Sequence, residues 1–355
     1  MSVFIIAEAG VNHNGSLETA RQLVDAAVAA GADAVKFQTF KAENLVTRHT
    51  GKAAYQKITT DADENQLAML KRLELKYEQH FQLLDYCQSK GIQFLSTAFD
   101  FESLDFLVRE LGIEILKIPS GEITNGPFLL AYAQTSKQII LSTGMATLGE
   151  VETALAVLAF GYLGSAQPPS LATFQQAYSS KQGQALLQDK VTLLHCTTEY
   201  PTPMAHVNLR SMDVLQQAFG LRVGYSDHTE GLVVPIAATA RGATLIEKHF
   251  TLDKSQQGPD HKMSLEPDEL KAMVSAIRAV EVALGTARKM PQPVELENRN
   301  VARKSLVAGC PVSQGECFTE TNLTIKRPGT GRSPMDYWAL LGESSSRNYD
   351  ADELI

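Results

Sequence analysis

The feature of this 355-residue sequence that most constrains its fold is a series of eight short β-rich runs, all within roughly the first 250 residues. In chain order, the runs are FIIAE, AVKFQT, QFLST, ILKIPS, QIILST, VTLLHC, RVGYSDH and TLIEKHF. Nearly every run ends on a residue able to hold a phosphate, a proton or a metal ion. Because a (β/α)8 barrel keeps its active site at the carboxyl ends of its strands, this pattern predicts an enzyme.

The segments between these runs carry apolar residues at helical spacing, and several close on a glycine, as helices often do. Clear cases are residues 17–31, 102–112, 150–161 and 231–242. Strand and helix therefore alternate eight times. Short alternating connections imply right-handed crossovers and a parallel sheet, and eight repeats favour an α/β protein of the TIM-barrel type over an open sheet of five or six strands.

We expect the barrel to occupy residues 1–285, followed by an exposed linker at 286–300 that contains two prolines and mixed charge, and by a small β-rich domain at 301–355. Two connections are longer than the barrel requires. Residues 40–77 follow the second strand and belong to the catalytic face, whereas residues 163–189 precede a strand and belong to the opposite face, where no chemistry is expected.

Composition narrows the protein's environment and partners. No stretch approaches 18 uninterrupted apolar residues, and the opening MSVFII reaches a charged residue too soon for a secretory signal, so we expect a cytoplasmic protein with no membrane contact. The four cysteines show no metal-binding spacing and are interpreted as reduced thiols. A net charge of -8 disfavours nucleic acid, and an anionic substrate would need a local positive pocket.

Two histidines follow neighbouring strands of the predicted barrel. His228 comes after the seventh run and His249 ends the eighth. Two imidazoles so placed can share a divalent cation, although they can equally be a pair held by hydrogen bonds. The sequence leaves both interpretations open.

Two lysines lie within otherwise apolar runs, Lys36 in KFQT and Lys117 in LKIPS. A buried lysine is costly unless an anion faces it, and a structural ion pair could supply that anion. Hydroxyl groups at neighbouring strand ends favour a phosphate pocket instead; these belong to Thr97, Ser120 and Ser142.

Two carboxylates, Glu8 and Glu122, lie at the same rim of the predicted barrel. Either could act as a general base, or simply pair with the lysines. The residue pattern does not separate the two roles.

Nine segments resemble, in order, the signature segments of the sialic acid synthase family. They are EAGVNHNGS (8–16), KFQTF (36–40), KIPSGE (117–122), STGMAT (142–147), HCTTEYPTP (195–203), SDHT (226–229), EKHFT (247–251), GPDHKMSLEPDEL (258–270) and KRPGTG (326–331). The resemblance spans essentially the whole chain. It implies a barrel followed by an antifreeze-like (SAF) domain, and condensation of phosphoenolpyruvate with N-acetylmannosamine to give N-acetylneuraminate and phosphate, with a divalent metal such as manganese or magnesium.

The resemblance also assigns roles to individual positions. His228 and His249 would bind the metal, and Glu122 would be the candidate base for water, with Glu8 as the other carboxylate. The positions expected at phosphoenolpyruvate are Lys36, Thr97, Lys117, Ser120, Ser142, Thr198, Tyr200 and Ser226, and those expected near the sugar are Gln38, Glu8 and Asp260. Arg327 would reach the sugar bound in the partner subunit, which implies an obligatory homodimer.

One departure and several alternatives accompany this interpretation. Thr197 and Thr198 stand where many relatives carry an asparagine, and a hydroxyl replaces only one of its amide hydrogen bonds. A related synthase using 2,4-diacetamido-2,4,6-trideoxymannose to make legionaminate is the alternative, whereas a pseudaminate synthase fits GPDHKMS less well. From other classes, a metal-dependent hydrolase or aldolase would not need the lysine and serine pocket, and a separate binding role for the small domain would rest on fold resemblance alone.

Overall fold

The computed structural model describes residues 2–47, 50–52, 60 and 64–355. Eight parallel strands close into a barrel in chain order, which confirms the predicted TIM-barrel architecture. The strands are β1 Phe4–Gly10, β2 Ala34–Thr39, β3 Gln93–Ala98, β4 Ile115–Ile118, β5 Gln138–Ser142, β6 Val191–His195, β7 Arg222–Asp227 and β8 Leu245–His249. The barrel closes where β1 pairs with β8, with Glu8 opposite His249.

Helices alternate with these strands. Those of the barrel unit are α1 Leu17–Ala30, α2 Ala42–Leu45, α3 Gln66–Leu73, α4 Tyr77–Lys90, α5 Phe101–Asp105, α6 Gly126–Gln134, α7 Leu148–Leu163, α8 Leu171–Ser179, α9 Lys181–Lys190, α10 Ser211–Phe219, α11 Val233–Ala240 and α12 Pro267–Leu284. A π-helical turn at Phe106–Glu110 continues α5, and short 3-10 turns occupy Ser120–Glu122, Met204–His206 and His261–Met263. In the described part of the chain, no helix has the length and apolar character needed to cross a bilayer.

The first crossover helix shows how local sequence sets these elements. The Ser16 side chain accepts a hydrogen bond from the Thr19 amide and so caps the start of α1, and Gly31 ends it with φ 80°, a conformation that suits glycine. Between the caps, alanines, Leu23 and Val24 bury one face of the helix. The predicted helical segment at 17–31 therefore forms with the predicted ends.

The barrel interior is built in layers because side chains alternate along each strand. The lower layer is apolar and consists of Ile6, Ala34, Leu95, Ile140, Leu194 and Leu245, with Phe4 and Ile115 packed against them. Two residues further along the same strands, the inward positions are polar or charged at almost every strand. The polar and charged side chains therefore lie directly above an apolar layer, at the carboxyl ends of the strands.

The two long connections differ in content. Only part of the connection at 40–77 is described: it contains α2 and α3, while most of the polar stretch GKAAYQKITTDADENQ lies outside the described residues. The connection at 163–189 forms two helices, α8 and α9, which sequence inspection did not identify. It precedes β6 and therefore enters the barrel from the amino-terminal ends of the strands.

The chain divides into two compact units, Met1–Gly285 and Thr286–Ile355. In the second unit, β9 Ser305–Ala308 and β10 Leu323–Lys326 form an antiparallel pair. Its core consists of Leu306, Ala308, Val312, Phe318, Leu323 and Leu340. The unit also contains α13 Leu296–Ala302 and α14 Tyr337–Leu340, with 3-10 turns at Pro293–Glu295 and Pro334–Asp336. Residues 286–300 are exposed throughout, but their last part is this helix α13. The assignment of this unit as an SAF domain stays a prediction.

Candidate active site

A cavity of about 330 Å³ opens at the carboxyl ends of the barrel strands. We call it the site cavity. It brings together most of the residues predicted from the sequence, namely Glu8, Lys36, Gln38, Thr97, Lys117, Ser120, Ser142, Thr198, Tyr200, Ser226, His228, His249 and Asp260. Residues separated by more than 250 positions in the sequence, such as Glu8 and Asp260, thus line one cavity. This agrees with the prediction that residues at the carboxyl ends of the strands lie together.

A larger cavity of about 540 Å³ lies at the opposite end of the barrel, but its charged groups serve the fold. Lys190 donates a hydrogen bond to the Ser136 carbonyl oxygen, and Arg222 donates one to the Asp189 carbonyl oxygen. Glu281 accepts from the Val3 amide. Chemistry is therefore concentrated at the site cavity.

Four charged side chains form the floor of the site cavity, and we refer to Glu8, Lys36, Lys117 and Glu247 as the charged cluster. Lys36 Nζ lies 2.7 Å from Glu8 Oε2 and 3.5 Å from Glu247 Oε2. Lys117 Nζ lies 3.3 Å from Glu247 Oε1. The Thr97 hydroxyl accepts a hydrogen bond of 3.0 Å from Lys36, so that the cluster already includes one of the predicted hydroxyls.

Glu247 belongs to the eighth β-rich run, but the sequence pattern assigned it no role in the site. Its Oε1 accepts a hydrogen bond of 2.8 Å from the Ser226 hydroxyl and also faces Lys117. The signal was present in the sequence, because Glu247 precedes His249 by two positions and alternate residues of a strand share a face. The alternation of side chains along β8 therefore predicts that Glu247 points into the barrel, where the structure places it against Lys36 and Lys117.

The balance between burial and the neighbouring lysine charges differs for the two carboxylates of the charged cluster. Burial raises the pKa of Glu8 to about 7, despite the opposing charge of Lys36. Burial also disfavours the ionised form of Glu247, but the charges of Lys117 and Lys36 outweigh it and hold the pKa of Glu247 well below its usual range. Facing Glu247 and Glu8, Lys36 has a raised pKa. Near neutral pH, Glu247 is therefore ionised and Glu8 can exchange a proton.

The two predicted histidines face each other across the cavity mouth, with ring centroids 5.6 Å apart. The Nδ1 of His228 lies 2.7 Å from the Thr197 carbonyl oxygen. A carbonyl only accepts, so Nδ1 carries the proton and Nε2 keeps its lone pair. Burial lowers the pKa of both rings, which keeps them neutral, the form in which imidazole binds metals.

The surroundings of His249 also fit a cation. Among the described residues, its buried Nδ1 has no hydrogen-bond partner, and Asp260 Oδ2 lies 4.0 Å away. Burial raises the pKa of Asp260 to about 6. The described ranges contain no ready group of three or more His, Cys, Asp or Glu side chains for a metal. A cation here would therefore rest on two imidazoles and complete its coordination with water or substrate oxygens.

Ser120 occupies a tightly packed corner of the site cavity. Its hydroxyl accepts a hydrogen bond of 3.0 Å from the Gly144 amide and lies 3.2 Å from the sulfur of Cys196. A methyl group added at Gly144 would lie 2.4 Å from the Thr198 hydroxyl and 2.7 Å from the Ser120 hydroxyl. The absence of a side chain at Gly144 therefore leaves both hydroxyls in place.

One side of the site cavity is apolar. We call Val11, Leu45, Met69, Leu70, Leu73 and Phe99 the apolar wall; all six line the cavity and pack in one cluster with Phe40. They come from the loops that follow β1, β2 and β3, and from the helices α2 and α3. Sequence inspection did not identify this surface.

Two predicted residues are not part of the cavity lining. Glu122 lies in the 3-10 turn that follows β4, next to the lining residue Gly121, and its Oε2 accepts a hydrogen bond of 2.7 Å from Asn125. Arg327 belongs to the second unit, where its exposed side chain donates through Nε to the Ala302 carbonyl oxygen. Glu122 is therefore not part of the charged cluster, and the role of Arg327 stays a prediction.

Residues 23–289 match the NeuB family. The chain belongs to this family. It is 50% identical over 351 residues to N,N'-diacetyllegionaminic acid synthase of Campylobacter jejuni, an alignment that covers 99% of this chain and 98% of the relative. The synthase of the same name from Legionella pneumophila is 45% identical over 351 residues, covering 99% and 92% of the two chains.

A solved structure gives the same placement. N-acetylneuraminic acid (sialic acid) synthetase from Leptospira borgpetersenii serovar Hardjo-bovis, in complex with citrate, is 33% identical, with a TM-score of 0.67 over 84% of this chain and 90% of that chain. The resemblance to the sialic acid synthase family is confirmed. This NeuB-family chain is therefore an enzyme, a transferase of the nonulosonic acid synthase type.

Proposed function

We propose that this enzyme condenses phosphoenolpyruvate with 2,4-diacetamido-2,4,6-trideoxymannose and water to give N,N'-diacetyllegionaminate and phosphate. The observation that carries the proposal is the 50% identity, over nearly both full lengths, to a synthase with that product in its name. The sialic acid synthetase of solved structure is 33% identical. N-acetylmannosamine, the sugar favoured from the sequence, thereby becomes the second candidate.

The charged cluster supplies the electrostatics for phosphoenolpyruvate. Near pH 7, Glu247 is ionised and Glu8 is protonated in about half of the molecules, so the two lysines give the cluster a net positive charge on average. An incoming phosphate can then accept hydrogen bonds from Lys36 and Lys117. Each such charge-assisted hydrogen bond contributes about 1.5–3 kcal/mol. We assign further contacts with the phosphate and carboxylate groups to hydroxyls of the cavity lining: Thr97, Ser120, Ser142, Thr198, Tyr200 and Ser226.

His228 and His249 are the residues that would hold a divalent cation such as manganese or magnesium. Such an ion would act as a Lewis acid on the aldehyde of the open-chain sugar. The hydrogen bond from His228 to the Thr197 carbonyl oxygen fixes the ring and its tautomer in advance. We assign Gln38 and Asp260, which both line the cavity, to the sugar hydroxyls and amide.

The reaction also needs a group that takes a proton from the attacking water. Two carboxyl groups compete for this role. Glu8 lines the cavity and has a pKa of about 7, which suits proton exchange at neutral pH. Glu122 does not line the cavity, and its Oε2 accepts a hydrogen bond from Asn125. The geometry favours Glu8; comparing phosphate release in a single turnover by Glu8→Gln and Glu122→Gln tests the assignment, because the variant lacking the base binds phosphoenolpyruvate without consuming it.

We also propose that the enzyme acts as a homodimer in which Arg327 contacts the sugar in the partner subunit. This proposal rests on the resemblance of KRPGTG, residues 326–331, to the family's segment. The exposed position of the Arg327 side chain in its own unit is compatible with such a contact.

The decisive experiment measures phosphate release with phosphoenolpyruvate, a divalent cation and one sugar at a time. We expect kcat/KM for 2,4-diacetamido-2,4,6-trideoxymannose to exceed that for N-acetylmannosamine by at least about tenfold. A preference for N-acetylmannosamine would overturn the proposed substrate. Phosphate release with phosphoenolpyruvate alone would instead indicate a hydrolase.

A further inference from the structure

Lys36 and Thr97, which are joined by a hydrogen bond, belong to the floor of the site cavity. Above this floor, the two sides of the cavity differ in chemistry, and the difference follows the order of the strands. The loops after β4, β5 and β6 contribute hydroxyl groups from Ser120, Ser142 and Thr198, and β4 contributes Lys117. The apolar wall comes from the loops after β1, β2 and β3. Phosphoenolpyruvate needs the cationic and hydroxyl-rich side, which leaves the apolar wall to face the sugar.

The apolar wall is anchored from behind. Met69 and Leu73 are each only 1% exposed and fix one face of α3 to the barrel. Phe99 packs edge-on against Phe40, with ring centroids 6.1 Å apart and an interplanar angle of 88°. Leu45 and Leu70 are only partly buried, as is Phe99. These three side chains therefore present apolar surface to the cavity from a fixed support.

Polar contacts fix the two short helices that carry the wall. The Glu74 carboxylate, directly after α3, accepts a hydrogen bond of 3.1 Å from the Ala42 amide and lies 3.5 Å from Lys41 Nζ. The Asn65 side chain caps the start of α3 by accepting from the Ala68 amide. Gly15, at φ 79°, lets the backbone of Arg72 approach so closely that a Cβ atom would lie 2.5 Å from its carbonyl oxygen. These contacts hold the two helices, and with them the apolar wall, in place.

We infer that Leu45, Leu70 and Phe99 determine sugar specificity, by contacting the 6-deoxy methyl group and the second acetamido methyl group of the sugar. The inference rests on the proposed function, since N-acetylmannosamine has hydroxyl groups where the diacetamido sugar has these apolar groups. A hydroxyl group placed against the wall would lose water without gaining a partner. One methyl group in an apolar pocket discriminates by about 10–200-fold.

The test replaces the wall residues with polar residues of similar size, as Leu70→Asn and Leu45→Asn. Leu171→Asn is the matched control, because Leu171 is 72% exposed on α8, in the connection that enters the barrel from its other end. For each variant, kcat/KM is measured with both sugars at saturating phosphoenolpyruvate and metal, together with KM for phosphoenolpyruvate. Thermal unfolding shows whether each variant is folded.

We expect either wall variant to lower the ratio of the two kcat/KM values, diacetamido sugar over N-acetylmannosamine, by about tenfold or more. KM for phosphoenolpyruvate should stay within about twofold, and Leu171→Asn should leave the ratio unchanged. Equal losses with both sugars in a folded variant, or an unchanged ratio in both variants, would overturn the inference. The ratio of the two kcat/KM values in the wild type tests the proposed function. The change of this ratio in the variants tests the role of the apolar wall.

Discussion

Strands β7 and β8 carry two buried ion-pair groups on opposite faces, and the two groups differ in how completely their members are paired. Outside the barrel, Lys248 Nζ lies 2.6 Å from Asp227 Oδ2, and both side chains are inaccessible to solvent. Inside, one residue before each of these positions, Ser226 and Glu247 belong to the site cavity. Adjacent residues of the same strands thus serve different purposes.

The outer pair is closed. Asp227 accepts hydrogen bonds from the amide and the hydroxyl of Thr229, and Lys248 also donates to the Thr229 carbonyl oxygen. In the charged cluster, by contrast, Glu247 is shared between Lys36 and Lys117, and its Oε2 has only an ion-pair contact of 3.5 Å. A closed pair stabilises the fold, whereas an incompletely paired group keeps affinity for a ligand.

The largest effect is expected for Lys248→Met. Removing one partner of a fully buried pair leaves the other charge without compensation, at a cost of about 3–5 kcal/mol in the free energy of unfolding. Urea unfolding measures this loss, and the Asp227→Leu/Lys248→Met double variant, which removes both charges, should recover most of it. The folded fraction of Lys248→Met should keep a KM for phosphoenolpyruvate close to that of the wild type. A variant as stable as the wild type would contradict the structural role of the pair.

Next in size is a pH effect inside the cavity. In the folded enzyme the pKa of Glu8 is raised from 4.5 to about 7, so its contribution to stability is complete below pH 4.5 and is lost as the pH rises through 7. At about 1.4 kcal/mol per pH unit, the loss amounts to about 3 kcal/mol. Relative to Glu8→Gln, the ligand-free wild type should therefore lose about this much between pH 4.5 and 8. Glu247, whose pKa is lowered, affects stability only at more acidic pH.

Urea unfolding of both proteins across this pH range measures the effect. The difference between their unfolding free energies isolates Glu8 from the histidines, which titrate in both proteins. If the difference in unfolding free energy between the two proteins stayed constant from pH 4.5 to 8, Glu8 would be ionised throughout this range. The charged cluster would then resemble the closed outer pair.

The strand pattern made the barrel and most of the site predictable. Alternate residues of a strand share a face, so a polar residue at each strand end places its side chain at the barrel mouth. Lys36, Lys117 and His249 were identified in this way. The same alternation places Glu247 on the face of His249, although the strand pattern alone gave Glu247 no role.

Side chains beyond the strand ends were less predictable, because a turn does not impose alternation. Glu122 lies two residues after Ser120, yet in the 3-10 turn its side chain accepts a hydrogen bond from Asn125 and does not line the cavity. The apolar wall could not be located either. Its residues Leu45 and Leu70 come from short helices in a long connection, and their apolar character alone does not tell a cavity wall from a core.

A smaller effect is expected for Lys117→Met. Lys36 remains to pair with Glu247, so stability should change little, in contrast to Lys248→Met. The lost charge-assisted hydrogen bonds should raise KM for phosphoenolpyruvate by about 10–150-fold, the equivalent of about 1.5–3 kcal/mol. Steady-state kinetics combined with urea unfolding separates the two quantities. Strong destabilisation without a change in KM would make the inner group structural as well.

The smallest effect is expected for Gly144→Ala, which tests how far phosphoenolpyruvate binding depends on close packing beside the charged cluster. In Gly144→Ala, the new methyl group would lie 2.4 Å from the Thr198 hydroxyl and 2.9 Å from the Cys196 sulfur, so these side chains must move. Because they are side-chain ends rather than backbone, we expect a loss of stability of only about 1 kcal/mol and a rise of about 3- to 10-fold in KM for phosphoenolpyruvate. Gly149→Ala is the matched control, since the nearest atom to a methyl group there is 4.0 Å away. If both variants bind phosphoenolpyruvate like the wild type, the Ser120 corner takes no part in binding, and the ligand affinity of the cavity resides in the charged cluster alone.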